Sequence, residues 1–141
     1  MIQYNTKNNS FLKVHLFLKQ KGIKNNAFFL ELKDETLFNV DPFDEENLTD
    51  EQKQRIIIEC SRNIWYFLRE CCKIPGSGIN RYELNLGNLS ITWCCLNNLN
   101  NYCVMPRQCG KTFAVMAVMC WILYFGGKNT EMILFAQQQR N

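Results

Sequence analysis

Seven consecutive residues near the carboxyl end of the chain have the types and spacing to bind phosphate. Residues 106–112, Pro-Arg-Gln-Cys-Gly-Lys-Thr, match the pattern G-x-x-x-x-G-K-[ST] except that Met105 occupies its first position. Gly110 allows the backbone to turn and approach a phosphate closely, and the N–H groups around it would face an anion. Lys111 can reach the β- and γ-phosphates, and the Thr112 hydroxyl can complete the coordination of Mg²⁺. The motif therefore predicts a site for the phosphates of a nucleotide and for Mg²⁺.

The other side chains of this loop have alternative interpretations. Arg107 could touch the γ-phosphate and stabilise the charge that develops during phosphoryl transfer, or it could be a solvated cation. Gln108 could orient a phosphate oxygen or cap the helix that follows. Cys109 is predicted to be a spacer, because no nearby residue could act as its base, although a helix N-terminus favours a reactive thiolate. A Gly-Lys-Thr at an ordinary strand-to-helix turn is the alternative for the whole motif.

The sequence on both sides of the loop predicts the elements that would position it. Residues 102–105 are a short apolar run typical of a strand, and residues 111–125 are an apolar helix that ends at two glycines. Residues 131–136 predict a second buried strand, which completes a βαβ unit with parallel strands. The predicted fold class is α/β: an incomplete P-loop NTPase, with a parallel sheet and flanking helices, preceded by a helical N-terminal segment.

Upstream of the loop, the pattern predicts a helical lead-in. Thr49 followed by Gln52 fits a capping box, and an apolar stripe continues from there to about Ile74, where Pro75 would end the helix. A second helix is predicted over residues 86–96. The chain is therefore divided into an N-terminal extension (1–48), the helical lead-in (49–101) and the first part of an ATPase core (102–141).

Composition excludes several classes of protein. A length of 141 residues with 47% hydrophobic and 21% charged residues predicts one globular domain, and a net charge of +3 permits nucleic-acid contact without indicating it. The eight cysteines form no C-x-x-C, and the single histidine is remote, which favours buried thiols in a reducing, intracellular setting. No signal peptide is evident, and the apolar run over 113–125 falls short of the roughly 20 residues needed to cross a bilayer. A secreted or membrane protein is therefore not expected.

The loop form P-R-Q-x-G-K-T resembles that of tailed-phage terminase large subunits. Residues 63–70, 74–75 and 82–89 also resemble the segment that precedes this loop in large-phage members, so the similarity spans roughly residues 23–141. The resemblance implies a motor in the host cytoplasm that hydrolyses ATP to package double-stranded DNA into a procapsid, with the portal and the small terminase subunit as partners. By position, Lys111 and Thr112 would bind phosphates and Mg²⁺, and Arg107 would sense the γ-phosphate.

The comparison with that family also implies parts that these residues do not contain. Many members have an upstream glutamine that recognises adenine, and the nearest candidate here is Asn88. Such motors also need a later strand with acidic residues and a nuclease domain, so the chain is expected to be an incomplete motor and inactive alone. The alternatives are another P-loop ATPase that acts on DNA, of the helicase or recombination type, and a non-catalytic anion-binding module.

Overall fold

The computed structural model describes residues 6–74, 80–100, 102–106, 109–127 and 131 of the 141-residue chain. The regular elements in these ranges are helical. They are α1 (Asn9–Gln20), α2 (Asp50–Arg62), α3 (Ile64–Tyr66), a π-helical turn (Phe67–Cys71), α4 (Leu86–Leu96) and α5 (Lys111–Phe125), with 3-10 turns at Phe28–Leu30, Glu35–Leu37 and Glu45–Asn47.

The α/β prediction is wrong. Across the described ranges no strand is formed, and β pairing is limited to one antiparallel bridge between Lys73 and Arg81. The predicted strand at 102–105 is a surface segment without regular structure, in which Tyr102 and Val104 are 93% and 81% exposed. Residues 132–136 of the second predicted strand lie outside the described residues. A short apolar run becomes a strand only where a neighbouring strand takes up its backbone hydrogen bonds, and the pattern alone does not show that neighbour.

The long helix predicted from residue 49 to about 74 is divided at Asn63. Its start is confirmed, because the Thr49 hydroxyl accepts from the Gln52 N–H and the Gln52 side chain accepts from the Thr49 N–H. Asn63 then leaves the helical conformation, with φ −144° and ψ 89°, and its side chain caps α3 by accepting from the Tyr66 N–H. Asparagine favours such a cap over a helix interior because its amide competes for backbone partners. Ile57, one of the residues of the predicted apolar stripe, is 59% exposed.

An aromatic core holds these helices together. Phe11 of α1, Phe29, Trp65 and Tyr82 are buried within one cluster, in which rings from distant parts of the chain lie 6.2–6.4 Å apart. Aromatic pairs at such tilted separations contribute beyond the area they bury. The Trp121 Nε1–H of α5 donates to the Cys60 carbonyl of α2 at 2.7 Å, which joins the carboxyl-terminal helix to this core.

The boundaries of α4 and α5 agree with the predicted ranges, and α5 is buried on one side. Ala114, Ala117 and Val118 are buried, as expected for the side that faces α4 and α2. On the other side, Met116, Leu123 and Tyr124 are 52%, 57% and 78% exposed. The described part of the chain therefore covers one side of α5 and leaves apolar side chains on the other side exposed.

The cysteines also differ from the prediction of buried thiols. All eight are free, but Cys60 alone is fully buried, and Cys95, Cys103 and Cys120 are exposed. The Cys60 and Cys71 sulfurs lie 3.5 Å apart. Hydrogen bonding between these two thiols, together with burial, raises the pKa of Cys71.

A chain of ion pairs joins the start of α1 to the segment that leads into α4. Lys7 Nζ lies 2.8 Å from Asp41, and Arg81 Nη2 is 2.9 Å from both oxygens of the same carboxylate. Arg81 also contacts Glu70 at 3.3 Å, and the buried Glu70 accepts from Arg69 at 2.8 Å. Partial burial alone would raise the pKa of Asp41, but the hydrogen bonds from Lys7 and Arg81 outweigh burial and lower this pKa to about 2.

Replacing Asp41 with Asn should destabilise the protein by about 1 kcal/mol near neutral pH, the scale of a partly exposed ion pair. Because the folded pKa lies below the unfolded value near 3.8, the stabilisation is complete above that value and is lost as pH falls toward 2. Urea unfolding of both proteins between pH 7 and pH 2 should therefore show a difference that shrinks below about pH 4.

The matched control is Glu46→Gln, which changes an exposed carboxylate of the same segment. It should alter the free energy of unfolding by less than about 0.5 kcal/mol. A difference between wild type and Asp41→Asn that stays constant down to pH 2 would contradict the role given to this carboxylate.

Candidate phosphate-binding site

The phosphate loop ends in a left-handed turn that starts a helix. Gly110 has φ 72° and ψ 10° and is the N-cap of α5, whose first residue is Lys111. A glycine adopts this conformation at little cost, whereas a side chain would be strained there. Gly110 has no side chain with which to cap the helix. The first N–H groups of a helix have no intrahelical partner, so the start of α5 offers donors to a ligand.

The Lys111 side chain folds back over the loop. Its Nζ donates to the carbonyl of Met105 at 3.1 Å and to that of Pro106 at 3.3 Å. These carbonyls precede Lys111 by six and five residues, so the chain curls around the ammonium group. The result is a positive charge held beside the positive end of the α5 dipole.

The remaining predicted site residues are placed as follows. Arg107 and Gln108 lie outside the described residues. Cys109 is half-buried, and its carbonyl accepts from Asn85 Nδ2 at 3.4 Å. Thr112 is exposed in the first turn of α5. Gly110, Lys111 and Thr112 are thus brought together at the start of one helix.

The start of α4 packs against this loop, a contact that motif spacing did not reveal. Asn85 caps α4 by accepting from the Asn88 N–H at 2.9 Å, and the same side chain contacts Cys109. Gly87 lies so close to Met105 that a Cβ there would overlap the Met105 Cε. The N-terminal ends of α4 and α5 therefore lie side by side, and both direct positive partial charge toward the loop. One feature of the sequence could have indicated Asn85 and Gly87: residues 82–89 resemble the segment that precedes this loop in terminase large subunits.

Asn88 provides a buried polar atom beside the loop. It is 3% exposed, its Nδ2 donates to the Glu83 carbonyl at 3.2 Å, and this nitrogen is 3.5 Å from where a Cβ on Gly110 would be. Its Oδ1 accepts no hydrogen bond from the described residues. A buried acceptor without a donor costs free energy, so this oxygen is suited to an N–H or O–H donor from a ligand or an ordered water.

The described residues provide few ligands for a metal at this site. They contain no group of three or more His, Cys, Asp or Glu side chains that could hold a metal ion. The Thr112 hydroxyl would be one Mg²⁺ ligand, and phosphate oxygens and waters would supply the others. A cavity of about 610 Å³ is separate from the loop. It lies around the start of α1 and is lined by residues 7–10 and 13 together with Ile74, Asn80, Arg81 and Glu83.

No protein-family model, curated protein or solved structure matches this chain. Over the described ranges, every helix is too short or too polar to cross a membrane. The site geometry and the sequence resemblance are therefore the grounds on which a function is proposed.

Gly110→Ala should destabilise the protein by about 1–2 kcal/mol, because alanine is strained in the left-handed region. A Cβ at Gly110 would meet Asn88 at an ordinary contact distance, so the cost is conformational rather than steric. The same substitution should weaken binding of ATP, since it moves the N–H groups of the loop. Urea unfolding and equilibrium titration with fluorescent ATP measure the two effects.

Gly22→Ala is the matched control. Gly22 has nearly the same φ, 73°, and nothing lies within 4 Å of its Cβ position. Gly22→Ala should lower the free energy of unfolding by about as much as Gly110→Ala does, and it should leave ATP binding unchanged. Equal losses of ATP binding in the two variants would show that the effect of Gly110→Ala is a general loss of folding and not a local change of the loop.

Proposed function

We propose that the loop over residues 105–112 and the adjoining N-termini of α4 and α5 bind the phosphates of ATP together with Mg²⁺. The observation that supports this most strongly is the position of Lys111, whose ammonium is held over the uncapped start of a 15-residue helix. The left-handed Gly110 opens that helix without a side chain in the way. A cation, free N–H donors and a glycine turn in one place are the groups that bind phosphate in proteins.

Each residue has a distinct role in this proposal. Lys111 has three N–H donors, of which the Met105 and Pro106 carbonyls take two, and the third would bind a phosphate oxygen. Thr112 would coordinate Mg²⁺ through its hydroxyl, and Cys109 would contribute backbone only. The contact of Arg107 with the γ-phosphate, and the choice for Gln108 between orienting a phosphate oxygen and capping the helix, stay predictions from the sequence.

We further propose that this site belongs to the ATP-binding part of a terminase large subunit, which powers packaging of phage DNA in the host cytoplasm. The support is the loop form P-R-Q-x-G-K-T and the similarity of residues 82–89, a segment whose Asn85 contacts the loop in the structure. Double-stranded DNA, the portal and the small terminase subunit are the partners that this proposal implies.

A non-catalytic anion-binding module is the second candidate. It is favoured because the described ranges contain no cluster of three or more His, Cys, Asp or Glu side chains that could hold a metal ion. In that case the loop would bind a phosphate without hydrolysing ATP. Hydrolysis of ATP by the complete protein distinguishes the two candidates.

Lys111→Ala should weaken ATP binding by roughly tenfold to a hundredfold, because a hydrogen bond to a charged group contributes about 1.5–3 kcal/mol. Isothermal titration of the full chain with Mg²⁺-ATP measures this change. Lys53→Ala is the control, since Lys53 is an exposed lysine in α2 whose ion pair with Asp50 is long, at 3.8 Å. If Lys111→Ala and Lys53→Ala bind ATP as tightly as the wild type, the phosphate site is elsewhere.

Thr112→Val keeps the shape of the side chain and removes the hydroxyl. ATP binding without Mg²⁺ should be unchanged, while the gain in affinity that Mg²⁺ gives should fall by about tenfold, because one metal ligand is lost. Titrations with Mg²⁺ and with EDTA make the comparison, and Ser61→Ala serves as a control at an exposed hydroxyl of α2. The same response to Mg²⁺ in wild type and Thr112→Val would rule out the hydroxyl as a metal ligand.

A further inference from the structure

The positive charge of the chain is concentrated in its first 30 residues. These contain five lysines and no aspartate or glutamate. The whole chain has 16 basic and 13 acidic residues, which leaves 11 basic and 13 acidic residues, a net charge of −2, for the other 111. The modest net charge of +3 therefore conceals a strongly basic amino-terminal region on an otherwise slightly acidic protein.

Most of this charge is not neutralised within the described part of the chain. Lys7 is paired with Asp41, but the other four lysines form no ion pair with a described carboxylate. All four are exposed, on α1 or on the turn that follows it: Lys13, Lys19, Lys21 and Lys24.

Apolar side chains are exposed among these lysines. Leu16 and Phe17 of α1 are 56% and 41% exposed, and Ile23 in the following turn is 45% exposed. Lys21 Nζ lies 5.5 Å from the centre of the Phe17 ring, so charge and aromatic surface are in contact. We call this set the basic apolar surface: Lys13, Leu16, Phe17, Lys19, Lys21, Ile23 and Lys24.

The basic apolar surface is presented by a well-anchored helix. On its other side α1 buries Phe11, Val14 and Leu18 in the aromatic core. The Asn8 side chain, which caps α1, also donates to the carbonyls of Arg69 and Tyr82 at 3.1 and 2.8 Å. Because the core face of α1 is occupied, its exposed residues are available to a partner without unfolding the helix.

We propose that the basic apolar surface binds an acidic amphipathic segment of another protein. Carboxylates of such a segment would pair with the four lysines, and its apolar residues would cover Leu16, Phe17 and Ile23. Phosphates of DNA would complement the lysines but leave these apolar side chains without a contact. A lipid bilayer would need the strongly apolar side of α1, which is buried in the core. This proposal does not rest on the phosphate site, since no residue of the surface belongs to the loop.

Binding to a labelled synthetic peptide tests the proposal with the full chain. The peptide has about 15 residues, long enough for helix formation, with glutamates on one face and leucines at helical spacing. Fluorescence anisotropy should show saturable binding to the wild type. Lys19→Glu combined with Lys24→Glu should weaken it by about tenfold, and so should Leu16→Ser combined with Phe17→Ser.

The matched control is Lys53→Glu combined with Lys73→Glu, which changes net charge equally at exposed lysines outside the surface. It should bind the peptide like the wild type. Urea unfolding of each variant separates lost binding from lost folding.

Three outcomes would overturn the proposal. The first is no saturable binding of the peptide. The second is that apolar contacts do not matter. In that case a peptide with serine in place of leucine would bind as tightly as the leucine peptide, or the variant with Leu16→Ser and Phe17→Ser would bind the peptide as tightly as the wild type. The third is tighter binding of a short DNA duplex than of the peptide, with the same loss in the lysine variant, which would assign the surface to nucleic acid.

Discussion

The buried ion pair between Arg69 and Glu70 is the interaction on which the arrangement of the other segments depends. Both side chains are almost inaccessible to solvent, so each charge needs its partner, and losing one typically costs 3–5 kcal/mol. Arg69 also donates to the Phe29 carbonyl at 2.7 Å, and Glu70 accepts from Arg81. The segments around Phe29, Arg69 and Arg81 are thereby held together beside the aromatic core.

That constraint extends to the phosphate loop. Arg81 lies four residues before Asn85, the cap of α4, so the ion pairs of Arg81 anchor the segment that leads into α4. The start of α4 in turn contacts the loop through Asn85 and the close approach of Gly87 to Met105. The candidate site is therefore formed by the N-termini of both α4 and α5. The phosphate binding that we propose would use these N–H groups and the Lys111 ammonium, and neither requires a parallel sheet.

The two positively charged regions of the protein differ in how they are built. At the phosphate loop, a single ammonium is fixed by carbonyls next to a helix start, a geometry suited to a small, highly charged ligand. On α1, several lysines lie on the exposed side of the helix together with Leu16 and Phe17. This arrangement suits a larger partner that has both carboxylates and apolar side chains. Beyond its first 30 residues the chain is slightly acidic, so the positive charges at the loop and on α1 form two separate regions.

Local signals in the sequence were sufficient for the starts of α2, α4 and α5. The capping box at Thr49, the range of α4 and the start of α5 at Gly110 all depend on residues within a few positions of one another. The tertiary structure alone decided the break at Asn63, whose side chain also bonds to Glu59 and to the Glu31 carbonyl, and the lack of a described strand at 102–105. The reason is physical: a cap is a contact between near neighbours, whereas a strand or a helix break depends on partners that folding brings from elsewhere.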